Sequence, residues 1–414
     1  MRLLYLVLLH LLGPLLWLGL WWKGRRDPAY RRRVPERFGH VPAIPGGVAV
    51  WVHAVSVGEV LAALPLIRAL VARHGEGQVY VTTGTPTGSE RVLAALGARV
   101  HHSYAPYDLP HALRRFLDRV RPARVLVMET ELWPCLFREL ARRGIPLMIG
   151  NARLSPRSMG RYRRIAGFTA SVTADITRVA AQSEADGARF RALGAPRVAV
   201  LGNLKFDAEP DPAQVAAGRA LRARWGQAPV WIAASTHEGE ERAALLAHQR
   251  LRQRHAGAVL VLVPRHPPRF AAVAAQLDAS GLSWAARSAG WPAAPPAVLL
   301  GDSMGEMAHY LALADLAFVG GSLVPVGGHN VLEPAALGLP VLFGPHMHNF
   351  LPAQSILLGA GAAQTVADAE ALAGAVQALF DDPARRRQQG LAAAAALAPH
   401  RGALQAHLEA LAAL

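Results

Sequence analysis

Acidic residues follow two apolar runs in the first half of the chain, at positions where a carboxylate could accept a proton. Glu59 stands in HAVSVGEV (residues 53–60), between a strand-like and a helix-like run, so the helix dipole should hold it ionised. Glu129 and Glu131 follow another apolar run in ETELWP and, two residues apart, would face the same side of an extended segment. Such carboxylates can act as general bases. Equally, Glu59 could stabilise the first turn of its helix, and Glu131 could cap the next one.

Basic residues follow other strand-like runs and could bind an anion. Lys205 stands in GNLKFD (202–207), after the last apolar run of the first half, where it could meet a phosphate or carboxylate as a point charge or simply be exposed. Arg265 and His266 stand in VPRHPPRF (263–270). A guanidinium can bind phosphate through two parallel N–H groups, and His266 could do the same when protonated.

Residues 301–345 contain two glycine-rich turns, each placed between a strand-like and a helix-like run. This arrangement offers backbone N–H groups to a phosphate, although glycine turns also serve only to pack helices on strands. Met304 could form an apolar wall for a base or sugar, and Gly305 permits close approach of the backbone. Asn330 and Glu333 are three apart on a predicted helix, so Glu333 could accept ribose hydroxyls while the helix N-terminus meets the phosphate. The pattern indicates a nucleotide or nucleotide-sugar pocket.

The elements that must position these residues alternate between strand and helix, which is typical of a parallel sheet covered on both faces. A polar, proline-rich segment, FDAEPDPA (206–213), interrupts the alternation and is interpreted as a linker. The sequence therefore predicts an α/β protein of two doubly wound domains that face each other across a cleft, with strand ends toward the cleft. The predicted strands are 48–55, 78–83, 124–129, 146–151, 179–183, 197–203, 230–235, 258–264, 297–302, 316–321 and 340–344.

The N-terminal segment 3–22 is an apolar run long enough to cross a bilayer as a helix. Trp17, Trp21 and Trp22 lie toward its end, as in an interfacial belt. Seven Lys and Arg residues follow between positions 23 and 37, which favours a cytoplasmic location for the rest of the chain and attraction to anionic lipids. The sequence WWKGRR lacks the small residues of a signal-peptide cleavage site. We therefore predict a retained anchor that spans the bilayer or lies in one leaflet.

Composition excludes several other classes. The 414 residues carry a formal net charge of +15 and one cysteine, Cys135, so an internal disulfide and a cysteine-based zinc cluster are excluded. The sequence has no P-loop, no GxGxxG after its first strand and no HExxH, which argues against ATPase, dehydrogenase and zincin chemistry. No DxD pair follows a strand, so a metal-bridged pyrophosphate site is not indicated. The arginines are scattered without interleaved aromatics, so nucleic acid is not predicted as a partner.

Together the motifs resemble the 3-deoxy-D-manno-octulosonic acid (Kdo) transferases, a family of lipid A glycosyltransferases. The match runs in order along the chain to about residue 360. The resemblance implies a GT-B fold of two Rossmann-like domains. It implies inverting, metal-independent transfer of Kdo from CMP-Kdo to a lipid A precursor (lipid IVA) at the cytoplasmic face of the inner membrane, with no cofactor besides the donor. The motifs that carry it are HAVSVGEV, TTGTPTG, ETELWP, NARLS, GNLKFD, PRHPPRF, GDSMGE and GGHNVLEPAALGLPVLFGP.

The same resemblance implies roles for individual residues. Glu59 would be the general base, and Glu129 and Lys205 would support the transition state. It assigns acceptor binding to the N-terminal domain and CMP-Kdo binding to the C-terminal domain. With the apolar N-terminal run and the alanine-rich tail, the predicted bounds are an anchor at 1–24, the acceptor-binding domain at 25–206, the CMP-Kdo-binding domain at 207–385 and C-terminal helices at 386–414. Another GT-B enzyme that uses a UDP-sugar, either a transferase or an epimerase, is the alternative. The implied CMP-binding residues are Pro264, Arg265, Met304, Gly305, Glu306, Asn330, Val331, Leu332 and Glu333.

Overall fold

A computed structural model describes residues 2–414, with eight residues of the first helix (2, 3, 10, 12, 14, 16, 17 and 26) described by their backbone alone. The described chain divides into two compact units. The first unit runs to Asp207 and includes Arg401–Leu414, and the second comprises Ala208–His400.

The first unit is built around a parallel sheet of seven strands. Their spatial order is β3-β2-β1-β4-β5-β6-β7, the doubly wound order in which the chain starts at the centre and winds to both edges. The strands are β1 Val48–His53, β2 Val79–Thr83, β3 His101–Tyr104, β4 Pro122–Met128, β5 Leu147–Ala152, β6 Arg178–Ala181 and β7 Val198–Val200. The helices before the linker are α1 Arg2–Arg26, α2 Val57–His74, α3 Pro86–Leu96, α4 Pro110–Val120, α5 Pro134–Arg142, α6 Pro156–Arg163, α7 Ala166–Thr173 and α8 Glu184–Ala192.

Both faces of this sheet are buried, as the near-continuous apolar strands require. Trp51 and Val125 belong to a cluster on one face, and Val50 and Leu126 to a cluster on the other. β1 pairs in parallel with both β2 and β4, so the carboxyl ends of these three strands lie at the same edge. That edge carries Glu59, which follows β1, and Glu129, which follows β4.

The second unit repeats this plan. Its seven strands are all parallel, in the order β10-β11-β9-β8-β12-β13-β14, with β9, β8 and β12 at the centre. The strands are β8 Val230–Thr236, β9 Val259–Pro264, β10 Trp284–Ala286, β11 Val298–Leu300, β12 Leu316–Val319, β13 Val341–Phe343 and β14 Ala363–Thr365. The helices are α9 Pro212–Arg224, α10 Glu240–Arg254, α11 Phe270–Ala279, α12 Met307–Leu313, α13 Leu332–Ala336, α14 Leu351–Gly359, α15 Ala369–Asp381 and α16 Pro383–Leu397. The two predicted α/β sheets are thereby confirmed.

The last helix, α17 (Ala403–Ala412), belongs to the first unit although it follows the second unit in sequence. Ala403 and Leu411 are buried in the core cluster of the first unit. The carboxylate of Asp207 accepts the N–H groups of Gly402 and Leu404 at the start of α17. The predicted C-terminal segment 386–414 is thus divided: α16 belongs to the second unit and α17 to the first.

The N-terminal run forms a helix, α1, which packs on the first unit through one side. The Tyr5 hydroxyl donates to Asp108 over 2.8 Å, and Leu6 and Leu9 pack against the core. The other side carries exposed apolar residues three or four apart: Leu4, Val7, Leu8, Leu11, Leu15, Leu18, Trp21 and Trp22. The side chain of Trp17, which the sequence placed in an interfacial belt, lies outside the described residues. Among the residues that are described, no helix has both the length and the hydropathy that a bilayer crossing requires.

Candidate active site

Glu59 is held by the turn that joins β1 to α2. Ser56 is the N-cap of α2, and its hydroxyl oxygen accepts the Glu59 N–H over 3.2 Å. In return, the Ser56 hydroxyl donates to Glu59 Oε1 over 2.9 Å and the Val55 N–H donates to Oε2 over 2.8 Å. This reciprocal pattern is a variant of the capping box in which the glutamate accepts the N–H of the residue before the N-cap. It fixes the carboxylate at the carboxyl edge of the sheet, where only 7% of the residue is exposed.

Burial governs the ionisation of this carboxylate. Burial is the largest of the effects that together raise the pKa of Glu59 from 4.5 to about 7. The hydrogen bonds from Ser56 and Val55 lower this pKa, and the nearby charges of Glu131 and Glu129 add to the rise. The expectation that the helix dipole holds Glu59 ionised is therefore wrong at mildly acidic pH, because desolvation of the charge outweighs the dipole. A carboxylate that titrates near neutral pH is suited to general base catalysis.

Glu129 and Glu131 both lie near Glu59, but not on an extended segment as the sequence suggested. β4 ends at Met128, and Glu129 adopts a left-handed conformation with φ of 56°. Glu131 does not cap α5, because the N-cap of this helix is Trp133, whose side chain makes no capping hydrogen bond; the Glu131 carboxylate instead accepts the indole N–H of Trp133 over 2.7 Å.

Lys205 lies 3.8 Å from Glu129, measured from Nζ to Oε1. The structure therefore brings together Glu59, Glu129 and Lys205, the three residues of the predicted catalytic group, within the first unit. Glu131 joins them through its charge on Glu59. Both members of the ion pair keep solvent-exposed surface, so a substrate could contact them.

Asn151 supports this arrangement and was missed by the sequence analysis. It lies in β5 with φ of 51° and is fully buried. Its side-chain oxygen accepts the Leu204 N–H over 3.0 Å, next to Lys205, and its own N–H donates to His407 Nε2 of α17 over 2.9 Å. A strained backbone at a strand end is typical of functional sites, but no residue pattern in the sequence links α17 to β5.

In the second unit, Pro264 and Arg265 lie where β9 ends. Pro264 pairs in register with Thr236 of β8, and the Arg265 N–H donates to the Thr236 carbonyl over 3.0 Å. The guanidinium of Arg265 acts electrostatically on Glu333 and His329. It therefore lies among the residues predicted to bind the nucleotide.

The buried carboxylate of Glu240 organises the glycine loop that follows β12. Its oxygens accept the backbone N–H groups of Gly321 (2.6 Å), Ser322 (2.9 Å) and Leu323 (2.9 Å). They also accept the N–H of His237 over 2.9 Å. One carboxylate thus ties the end of β8 to the loop after β12, a link that sequence spacing alone does not indicate.

Asn330 and Glu333 meet as predicted: the Asn330 amide donates to Glu333 Oε1 over 2.9 Å. Burial raises the pKa of Glu333, which Asn330 and Arg265 partly offset. The predicted helix N-terminus at Asn330 is wrong, however. The helix α13 begins at Leu332 after the N-cap Val331 and has only five residues, so few peptide dipoles are aligned to attract a phosphate.

Met304, Gly305 and Glu306 form the turn before α12. Met304 is exposed, and Gly305 has φ of 84° and accepts the Gln214 amide at its carbonyl. Although burial raises the pKa of Glu306, hydrogen bonds from Ser303 and Arg287 lower it to a larger extent. Its carboxylate is therefore ionised and already engaged, which leaves the exposed Met304 and the backbone as the parts that a ligand could contact.

A metal ion at the candidate site would need side chains that could hold it. Over the residues that the structure describes, no group of three or more His, Cys, Asp or Glu side chains is arranged to hold a metal ion.

Comparison with known proteins places the chain in a family. The family model described as 3-deoxy-D-manno-octulosonic-acid transferase (kdotransferase) matches residues 32–208. A 3-deoxy-D-manno-octulosonic acid transferase of Haemophilus influenzae is 41% identical over 417 residues, covering 99% of this chain and 98% of the relative. The chain belongs to this family. It is a Kdo transferase by membership and hence a glycosyltransferase, as the resemblance implied.

Two further comparisons agree. The 3-deoxy-D-manno-octulosonic acid transferase of Bordetella pertussis is 42% identical over 98% of both chains. A crystal structure of UDP-GlcNAc 2-epimerase from Neisseria meningitidis matches with a TM-score of 0.60 and 14% identity, covering 89% of this chain and all of the other. At that identity the likeness concerns the fold alone. It supports a GT-B-like architecture of two Rossmann-like sheets, and the predicted cleft between them stays a prediction.

Proposed function

We propose that this Kdo transferase uses CMP-Kdo as its donor and a lipid A precursor as its acceptor, with inversion at the transferred carbon and without a metal ion. The observation that carries the proposal is the state of Glu59. Its carboxylate is buried, fixed by hydrogen bonds at both oxygens and has a pKa of about 7. A sugar hydroxyl is a poor nucleophile, so a base of this strength must remove its proton as the new bond forms.

The other residues have complementary roles in the proposal. Lys205 neutralises charge that develops beside Glu129, and Arg265 binds the phosphate of the departing CMP. Stabilising the leaving group in this way lowers the barrier because the donors are fixed before reaction. Asn330 and Glu333 bind the ribose, while Met304 and the backbone of Gly305 contact the cytidine. We assign the base and acceptor to the first unit and the nucleotide to the second.

We further propose that α1 attaches the protein to the cytoplasmic face of the inner membrane. Leu4, Leu8, Leu11, Leu15 and Leu18 are exposed along the side of α1 that does not pack on the first unit, and a helix with one apolar side can lie at a bilayer surface. The basic residues that follow would add attraction to anionic lipids, on the order of 1 kcal/mol each. The acceptor is itself an anionic glycolipid, so attachment would bring the enzyme to its substrate.

Incubation of the purified protein with CMP-Kdo and lipid IVA, with product masses measured directly, tests the reaction. The wild type should add Kdo, and Glu59→Ala should abolish transfer while binding of CMP survives. A variant that loses CMP binding as well would contradict the role of Glu59. Stabilisation of the wild type by UDP and not by CMP, measured by thermal shift, would favour the UDP-sugar alternative.

Vesicle flotation tests the attachment. Leu11→Glu places a charge on the exposed side of α1 and should reduce binding to vesicles that contain phosphatidylglycerol. Leu391→Glu is a matched control, because Leu391 is 68% exposed in α16 and Leu11 is 69% exposed in α1. Equal binding of both variants would exclude this side of α1 as the contact with lipid.

A further inference from the structure

Two histidines of the second unit form a hydrogen-bonded pair beside Arg265. His237 follows β8, and His329 lies in the loop between β12 and α13. Their Nε2 atoms are 2.8 Å apart, and their rings are nearly parallel, at an interplanar angle of 9° and a centroid distance of 5.0 Å. Neither histidine belongs to the predicted nucleotide site, but His237 directly follows β8 and the loop after β12 brings His329 next to it.

The loop geometry explains why the rings meet. The N–H groups of Gly327 and Gly328 both donate to the carbonyl of Gly321, which returns the chain to the end of β12. A Cβ atom on Gly321 would lie 2.9 Å from Nε2 of His329, so this glycine leaves the space that the ring occupies. On the other side, Glu240 fixes the backbone of His237. The pair is therefore held in place before any ligand binds.

The pair has a defined capacity for protons. When both rings are neutral, one Nε2–H donates to the other Nε2, and only the accepting ring carries a proton on Nδ1. If the pair takes up one proton, both Nδ1 atoms become donors and the pair gains a positive charge. Within the described residues, the Nδ1 atoms of His237 and His329 have no hydrogen-bond partner. Both rings are only partly buried, so an anion could reach them.

Burial, together with the neighbouring arginines, keeps the pair neutral in the free protein. Burial, reinforced by the charge of Arg265, lowers the pKa of His329 to about 4. Burial also lowers the pKa of His237, with Glu240 opposing and Arg265 and Arg269 reinforcing the change. His266 is a third ring in the cluster, at a centroid distance of 5.3 Å from His237.

Arg269 is unavailable to a ligand, because it pairs with Glu238 over 3.3 Å and with Glu241 over 3.0 Å. Arg265 is consequently the arginine of this cluster that can meet an anion, and the histidines are its neighbours with unused donors.

The proposed donor presents two anions to this cluster. Its anomeric carbon carries both the phosphate of CMP and the carboxylate of the sugar acid, so a protein that binds the phosphate must also accommodate the carboxylate beside it. We propose that His237 and His329 bind the carboxylate of the donor sugar while Arg265 binds the phosphate. This assignment rests on the proposed function and adds a subsite to it. Binding of the carboxylate stabilises the protonated pair, which then offers two N–H donors and one positive charge.

Comparison of CMP with CMP-Kdo tests the assignment, because CMP has the phosphate but no carboxylate. His329→Gln and His237→Gln should each weaken binding of CMP-Kdo roughly 10- to 100-fold, the effect of losing a charge-assisted hydrogen bond. Binding of CMP should change less than about twofold, because the ligand makes no contact with the pair. Arg265→Ala should weaken the binding of both ligands. His255 is paired with Asp381, so His255→Gln should leave the binding of both ligands unchanged.

Calorimetry in two buffers of different ionisation enthalpy provides a second measurement. Near neutral pH the wild type should take up more protons with CMP-Kdo than with CMP, by up to one, and His329→Gln should lose this difference. If the histidine variants bound CMP and CMP-Kdo with equally reduced affinity, the pair would contact the phosphate, and the proposal would be overturned. Unchanged binding of both ligands would overturn it as well. A wild type that binds no CMP-Kdo would refute the proposed function itself, and with it this subsite.

Discussion

Substitution of Glu59 by glutamine should change the pH dependence of stability as well as activity. The folded protein raises the pKa of this carboxyl from 4.5 to about 7, chiefly through burial. Because a tenfold change in an acid constant corresponds to about 1.4 kcal/mol, ionised Glu59 destabilises the fold by about 3 kcal/mol. Because the pKa is raised in the folded protein, the stability that the neutral Glu59 carboxyl contributes is fully present below pH 4.5 and is lost as pH rises through about 7.

Glutamine has nearly the same shape but does not ionise, so Glu59→Gln should escape this loss. The free energy of unfolding of the variant relative to the wild type should rise by roughly 2 to 3 kcal/mol between pH 5 and pH 8. Denaturant unfolding of the full chain at several pH values measures this difference. Glu90→Gln, at an exposed glutamate of α3, is the control and should show no comparable trend. The activity of the wild type should rise through about pH 7 as the base ionises, whereas Glu59→Gln should be inactive throughout.

A constant difference between Glu59→Gln and the wild type from pH 5 to pH 8 would refute this reasoning, because it would mean that the carboxyl ionises equally easily in the folded and unfolded chains. Wild-type activity that persists unchanged at pH 5 would refute the assignment of Glu59 as the base. The two outcomes are separable, since stability reports on the ionisation and activity on its use.

Three further substitutions test the supporting contacts. Lys205→Met removes the cation beside Glu129 and should lower kcat at least about tenfold with little change in KM for CMP-Kdo; a change confined to KM would indicate donor binding instead. His407→Ala leaves the buried N–H of Asn151 without its acceptor. Denaturant unfolding should therefore show a loss of roughly 1–3 kcal/mol in the free energy of unfolding. His407→Gln, which supplies another acceptor, should restore part of this loss. Glu240→Ala leaves three N–H groups of the glycine loop unpaired. This variant should bind CMP about tenfold or more weakly than the wild type. Tight binding of CMP by the variant would show that the loop keeps its shape without the carboxylate.

The sequence identified every inner strand of both sheets and missed three of the four edge strands. The strands β1, β4, β8 and β9 were recognised from their continuous apolar sequences, because a strand covered on both faces must be apolar throughout. β3, β10 and β14 were not predicted, and each lies at an edge of its sheet; the fourth edge strand, β7, was predicted from its apolar run. β3 has the sequence HHSY, and β10 and β14 have three residues each. An edge strand is held by hydrogen bonds to its one neighbouring strand, so it can form without a continuous apolar run.

The candidate site was predictable where a single motif supplies the residue and unpredictable where the contact is distant in sequence. Glu59 follows from a short motif, because its N-cap lies only three residues before it. The link from Asn151 to His407 spans 256 positions, and that from Glu240 to Gly321 spans 81. Contacts of this kind depend on which strands are neighbours, and the order of strands in a sheet is not written in any local pattern.

The two interpretations of Glu59 that the sequence left open, stabilisation of the first helical turn and general base, are compatible. The hydrogen bonds from Ser56 and Val55 that cap α2 also orient the carboxylate, and they favour its ionised form. Burial favours the neutral form and is the larger effect. With the hydrogen bonds alone the carboxyl would be too weak a base, since its pKa would lie below 4.5; with burial alone it would stay protonated at higher pH. A capped and buried glutamate at a strand end therefore titrates near neutrality because the structural and the desolvating contacts oppose each other at the same two oxygens.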